Sequence, residues 1–182
     1  MKKSIFKLIF IVFLTICSCK TTQIEKTEPN SEPTKVEFTQ FDLGAIDLPK
    51  LKRQVNDFES VFTVEQLEKL TLKIREFEKK TANQIAIVSI ESIGKYTDFD
   101  KFAIDLSNYN GIGLKEKDIG LSIVFSKSLR KIRISTGIGT ENILTDEICK
   151  QIIDQTIIPE FRNGDYYSGI EKGLTELIAK WK

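Results

Sequence analysis

Carboxylates are where chemistry can begin in this sequence, because its 182 residues include no histidine. Without an imidazole the chain has no His-activated serine or cysteine and no His-rich zinc site. Acid–base or metal chemistry then falls to Asp and Glu. The segment RKIRISTGIGTENILTD, residues 130–146, brings Glu141 and Asp146 in just after a glycine turn at Gly137 and Gly139. A strand running into such a turn fixes acidic oxygens on a rigid frame. Asp118, just ahead of another apolar run, is a third candidate. Carboxylates gathered at one rim repel one another unless protons or a cation intervene, and all-oxygen ligands suit a hard ion, calcium or magnesium. Each acid alone also has a structural reading. Asp146 follows Thr145 and complements a helix N-terminus, and Asp118 opens a turn before Gly120. Gly137-Ile138-Gly139 is not a dinucleotide fingerprint, since Asn142 stands at its sixth position and Glu141 repels a bare phosphate.

The elements that must position these acids follow from periodicity. Thr63 with Gln66 forms a capping-box start, after which Val64, Leu67, Leu70, Ile74 and Phe77 recur at helical spacing to about Lys80. Gln84–Ile90 is nearly all apolar and reads as a strand covered on both faces. Thr97 or Asp98 caps a second helix through Tyr109, and Gly120–Ser126 is a second core strand. The short link to Arg130 makes the next strand its hairpin partner. Thr145 caps a third helix to about Ile158, which Pro159 ends. A last helix, 165–181, turns Tyr166, Ile170, Leu174, Leu177 and Ile178 inward. The order α-β-α-β-β-α-α implies an α/β fold, a small mixed sheet sandwiched by helices. The helix between the first two strands implies a right-handed crossover and so a parallel pair. Asp118, Glu141, Asp146, the Gly111–Gly113 loop and Asn83 then share one edge of the sheet.

Composition sets the compartment. With 41% hydrophobic and 29% charged residues the chain reads as a globular domain. Lys2 and Lys3 precede an apolar run, Leu8–Ile16, too short to span a bilayer, which is the pattern of a signal peptide. It ends in Ile16-Cys17-Ser18-Cys19, which resembles a bacterial lipobox with Cys19 as the lipidated residue, and an uncleaved anchor or plain secretory signal is the alternative. On this reading residues 1–18 are the leader, 19–50 a lipidated, Pro-containing tether in which 36–43 can dock as an extended segment, and 51–182 the domain. Localisation follows: the bacterial cell envelope, held to a membrane by lipid. Loss of Lys2, Lys3 and Lys7, and of no acid, takes the formal charge from +1 to −2. Bulk charge therefore gives no reason to expect nucleic acid as a partner. Cys149 has no intrachain partner and sits at helical spacing with Ile152, Ile153 and Thr156, so it reads as a small buried apolar residue.

The residues of the glycine turn also carry a resemblance. From about Val55 onward the chain resembles the TPM domain family, named for a thylakoid protein, a nematode receptor modulator and their bacterial relatives. Val55-Asn56-Asp57 is similar to that family's opening motif, and Thr81-Ala82-Asn83-Gln84 to its entry into the first core strand. Asp118-Ile119-Gly120 resembles its Asp-Asn-Gly element, with Ile119 in place of Asn. Residues 130–134, then Gly137–Glu141 and Leu144–Asp146, resemble its signature turn, and residues 158–170 are the closest match. Thr140 and Asn142 stand where Leu and Gly are usual. The resemblance implies a divalent-cation site, often calcium, in an acidic cleft, and adds Asp57 to Asp118, Glu141 and Asp146 as a candidate ligand. Asp57 is expected at the opposite rim unless residues 55–62 fold back. The resemblance also implies acid phosphatase activity in some members and non-catalytic service to membrane-protein complexes in others. The no-enzyme reading is favoured here, because no general acid or nucleophile stands out beyond the ligands, with a metal-dependent phosphatase as the alternative. Arg133 is a candidate anion ligand, although an edge-strand charge is commonly solvated. Asp165 and Tyr166 are explained by capping and core packing.

Overall fold

The structure, a computed structural model, describes residues 48–113 and 118–181. The leader, Cys19 and the tether to residue 47 lie outside the described residues.

Helix α1 (Val64–Thr81) begins at the Thr63/Gln66 capping box, in which the Gln66 N–H donates to Thr63 Oγ1 at 3.2 Å and the Thr63 N–H to Gln66 Oε1 at 2.9 Å. Two otherwise unbonded N–H groups are satisfied this way. Leu70, Ile74 and Phe77 form its buried stripe. Strand β2 (Gln84–Ser89) follows, then α2 (Phe99–Tyr109) with Asp98 as its N-cap, and β3 (Gly120–Ser126). A tight turn with Arg130 at φ +53° leads into β4 (Lys131–Thr136). Short α3 (Ile138–Glu141), α4 (Asp146–Ile152), α5 (Ile158–Arg162) and α6 (Tyr166–Lys180) complete the chain.

A strand that periodicity does not reveal opens the fold. β1 (Val55–Asp57) pairs with the end of β2, so the sheet has four strands in the order β1-β2-β3-β4. Three residues are too few to display alternation. The first three strands are parallel and β4 is antiparallel to β3, as the crossover and the short hairpin link imply. The α/β class and mixed sheet stand as expected.

Alternation along β2 and β3 builds two apolar layers. Ile85, Ile87, Leu121, Ile123 and Phe125 face α1 and the C-terminal helices, while Val88 and Val124 face α2. Both faces are thus covered, which is why these strands read as continuous apolar runs. The strand order steps the same way twice while α1 and α2 lie on opposite faces, so only one of the two crossovers is right-handed. Packing also reaches back before residue 51. Leu48 is buried in the α2 layer, and the Asn110 side chain holds the Pro49 carbonyl and the Leu51 N–H.

Pro159 does not end the third helix. The backbone widens to a π turn at Ile153–Ile157, with the Ile158 N–H bonded to the Ile153 carbonyl, and continues as α5 to Arg162. The extra residue moves the ladder away from the position where the proline ring would strike a carbonyl and its missing N–H would be felt. Gly173 of α6 lies against this turn, and a Cβ there would meet Ile157 Cγ1 at 2.6 Å.

Candidate functional site

The rim where β3 begins and β4 ends is built backbone on backbone. The Gly137 N–H donates to the Gly120 carbonyl at 2.9 Å, and the Gly139 N–H to the Asp118 carbonyl at 3.2 Å. Asp118 also accepts the Ile138 N–H on Oδ2 at 3.3 Å. Its backbone sits at φ +50°, a left-handed conformation that Asp tolerates better than most side chains. Gly137 has no alternative, since a Cβ there would stand 2.2 Å from the Asp118 carbonyl oxygen. The same rim takes in Gln84, whose N–H donates to the Ile119 carbonyl and whose side chain accepts the Gly113 N–H at 2.8 Å. Hairpin and crossover therefore bring Asp118, the Gly111–Gly113 loop and the glycine turn together, as the topology argument expects.

Glu141 lies at this rim as well. It closes the four-residue helix α3, and its N–H bonds to the Gly137 carbonyl at 3.2 Å. Its side chain is exposed and makes no hydrogen bond or ion pair among the described residues. Thr140 beside it is fully buried, with an Oγ1 that has no partner among them.

The other candidates lie elsewhere. Asp146 is the first residue of α4, exposed, and lines a cavity of about 460 Å³ beside β4 together with Arg133, Asp100, Cys149 and Lys150. Arg133 sits mid-strand opposite Val124, bonded through Nε to Ser135 Oγ at 3.1 Å and paired with Asp100 at 3.6 Å. Cys149 is buried there, as its spacing implies. Burial pushes its thiol up to about 11; the Asp146 charge adds to the rise and the Arg133 charge opposes it. Asp57 lies at the far end of the sheet, where β1 ends beside Ser89. Its carboxylate accepts the Val61 N–H at 3.0 Å, the Phe62 N–H at 2.8 Å and the Ser89 hydroxyl, which closes the link into α1. Residues 55–62 do not carry it back to the Asp118 rim.

A hard cation can be tested against these groups. Asp118 Oδ1 and both oxygens of Glu141 have no partner among the described residues. Two free carboxylates are fewer ligands than a hard cation takes, so an ion held there would keep several waters. They do not make a closed cage: among the described residues no group of three or more Asp, Glu or Cys is placed to hold a metal ion. Glu116 lies outside the described residues.

Sequence reasoning missed other polar features. Ser89 is fully buried at the end of β2 and becomes legible only once β1 is known to pair there. A cavity of about 420 Å³ lined by Arg53, Arg75, Glu78 and Gln84 opens at the start of β2. Tyr96 hydrogen-bonds the buried Asp105 at 2.9 Å; burial first, and this bond second, push its hydroxyl up to about 12.

Comparison with known proteins bears on the whole domain. No curated protein matches the chain. Among solved structures, the N-terminal domain of a P. gingivalis protein is 29% identical, with a TM-score of 0.65 over 70% of this chain and 81% of that one. The BA42 protein of the psychrophilic bacterium Bizionia argentinensis is 18% identical, with a TM-score of 0.59 over 69% of this chain and 88% of that one. The N-terminal domain of the cg2496 protein of Corynebacterium glutamicum is 13% identical, with a TM-score of 0.57 over 74% and 84%. The last two share the fold alone. The family model described as TPM domain matches residues 55–180, from the first residue of β1 to the last of α6. The chain belongs to the TPM domain family.

Proposed function

We propose that this is a lipid-anchored bacterial envelope protein whose TPM domain binds a divalent cation, calcium ahead of magnesium, and serves as a non-catalytic factor for a membrane-protein complex. The observation that carries the cation is the pairing of unspent carboxylate oxygens on Asp118 and Glu141 with a backbone that is already locked. An ion between them ties the start of β3 to the turn after β4 and stiffens a rim that a partner can read. Calcium is favoured over magnesium because its coordination sphere is larger and more forgiving of an open, irregular ligand set. Catalysis asks for more than such an ion. A phosphatase needs a nucleophile or a polarised water with a proton donor for the leaving group, and Asp118 spends one oxygen on the Ile138 N–H. The anchor rests on Cys19 and the lipobox pattern alone. It places the domain beside a membrane, with inner and outer leaflets equally served.

Calcium titration of the chain from residue 19 onward, followed by amide NMR, tests the reading. Shifts centred on Asp118, Ile119 and Gly137–Glu141 are expected, with affinity lowered roughly tenfold or more in Asp118→Asn and Glu141→Gln. Shifts that avoid the rim overturn the site. Hydrolysis of p-nitrophenyl phosphate, measured alongside, is expected to be indifferent to both substitutions. Calcium-dependent turnover that either one abolishes establishes the phosphatase instead. Cys19→Ala is expected to release the protein from the membrane fraction.

A further inference from the structure

The sheet stops at β4, and among the described residues no strand pairs with its outer edge. The bond from Gly137 N–H to the Gly120 carbonyl fixes the alternation along the hairpin. Lys131, Arg133 and Ser135 turn their backbone groups toward β3, so Ile132, Ile134 and Thr136 turn theirs outward. No described residue hydrogen-bonds these outward groups. Ile132 and Thr136 are half-buried, and Ile134 between them is buried. Two cavities of about 460 and 530 Å³ run along it and share Arg130, Lys131, Ile132 and Ile158, so they form one trough beside Arg130–Ile134.

The two walls of that trough differ in kind. Ile132 and Ile134 stand on the face of Phe125 and Ile123, and their side of the trough continues into Ile153, Ile158 and Phe161, with Asp146, Arg162 and the Lys150–Asp154 pair (2.7 Å) also in its lining. Lys131 and Arg133 stand on the α2 face. Arg130, Lys131 and Arg162 are exposed and form no ion pair among the described residues. Arg133 has Asp100, but at 3.6 Å and with that acid 61% exposed, a contact an incoming carboxylate can replace. Side chains of an added strand alternate across the sheet as its neighbour's do. Around the apolar line of the trough the five cations of the lining (Arg130, Lys131, Arg133, Lys150 and Arg162) outnumber the three acids (Asp100, Asp146 and Asp154), which matches an occupant with apolar residues on one face and acids on the other.

We propose that β4 is a docking edge that takes an extended segment of a partner protein, with alternating apolar and acidic residues, as a fifth strand. Main-chain bonds to the outward groups supply affinity, and the cations select the sequence. The same cations disfavour a second copy of this chain, which would press like charges together, and so keep the edge free for its own partner. The trough lies along β4 and is lined by neither Asp118 nor Glu141, so this inference does not rest on the cation reading.

A short capped peptide of alternating glutamate and valine, titrated into the chain from residue 19 onward in calcium-free buffer, is the test. Amide shifts and slowed exchange are expected at Ile132, Ile134 and Thr136. Replacing glutamate with lysine in the peptide, or N-methylating its alternate amides, is expected to weaken binding roughly tenfold or more. The exposed pair Lys131→Glu with Arg162→Glu is expected to reverse the preference in favour of the lysine peptide. Equal binding of the N-methylated peptide overturns strand addition. So do shifts confined to another face, self-association that protects the same amides without peptide, or a response to phosphatidylglycerol vesicles and none to the peptide.

Discussion

Asp57 and Asp118 occupy opposite ends of the same sheet and do similar work with different reserves. Asp57 ends β1 and Asp118 precedes β3, and each carboxylate accepts from the backbone of a neighbouring turn. Asp57 uses both oxygens, holding two N–H groups and the Ser89 hydroxyl, three of its roughly four lone-pair sites. Asp118 holds the Ile138 N–H on one oxygen and keeps the other uncommitted. A carboxylate at a strand end is therefore not a ligand by position alone. What counts is how many of its lone pairs the fold has already claimed.

The largest effect should come from removing the more heavily bonded acid. Asp57→Ala strips three donors of their acceptor and is expected to cost about 3 kcal/mol in chemical denaturation, against about 1 kcal/mol for Asp118→Ala. Equal losses would erase the contrast between the two ends. Thr140→Val sharpens it from the other side. The substitution keeps the shape and removes a buried hydroxyl that has no partner among the described residues, so a gain of about 1 kcal/mol is expected. A loss would mean that the hydroxyl is engaged at the rim.

The smallest effect checks where Asp146 belongs. Its charge helps hold the Cys149 thiol at about 11. Asp146→Asn should lower that value and speed alkylation of Cys149 by roughly two- to threefold at mildly alkaline pH. An unchanged rate would detach Asp146 from the β4 cavity. The same thiol carries a pH signature of known sign. In the unfolded chain it ionises near its ordinary value of roughly 8.5, whereas in the fold it stays protonated to about 11. The unfolded state thus sheds the proton first, and stability falls as pH rises through that window, a loss that Cys149→Ala should remove.

Much of this architecture is written in local pattern. The Thr63/Gln66 box, the apolar runs of β2 and β3 and the short hairpin link each have one physical solution, and each appears where periodicity puts it. The convergence of Asp118 with the glycine turn followed from topology, since parallel and antiparallel pairings leave little choice of rim. What escaped was information that local sequence does not carry. β1 is too short to alternate and exists because Val55 and Asn56 find β2 across an entire helix. Asp146 looks like a rim acid in sequence, whereas in the fold it follows the buried Leu144 and lines the cavity beside β4 with Arg133 and Cys149. Pro159 reads as a stop only if the helix before it is assumed to be regular.

That irregular turn reaches beyond its own residues. One inserted position in a helix rotates everything downstream by about 100° about the axis, so Ile153–Ile157 works as a phase shifter between α4 and α5. It turns Phe161 onto Phe125 and Tyr166, with ring centroids 5.5 and 4.5 Å away, while Arg162 stays at the open mouth of the trough. A relative lacking the extra residue would carry the same letters around a differently dialled cylinder, and its trough would have another lining.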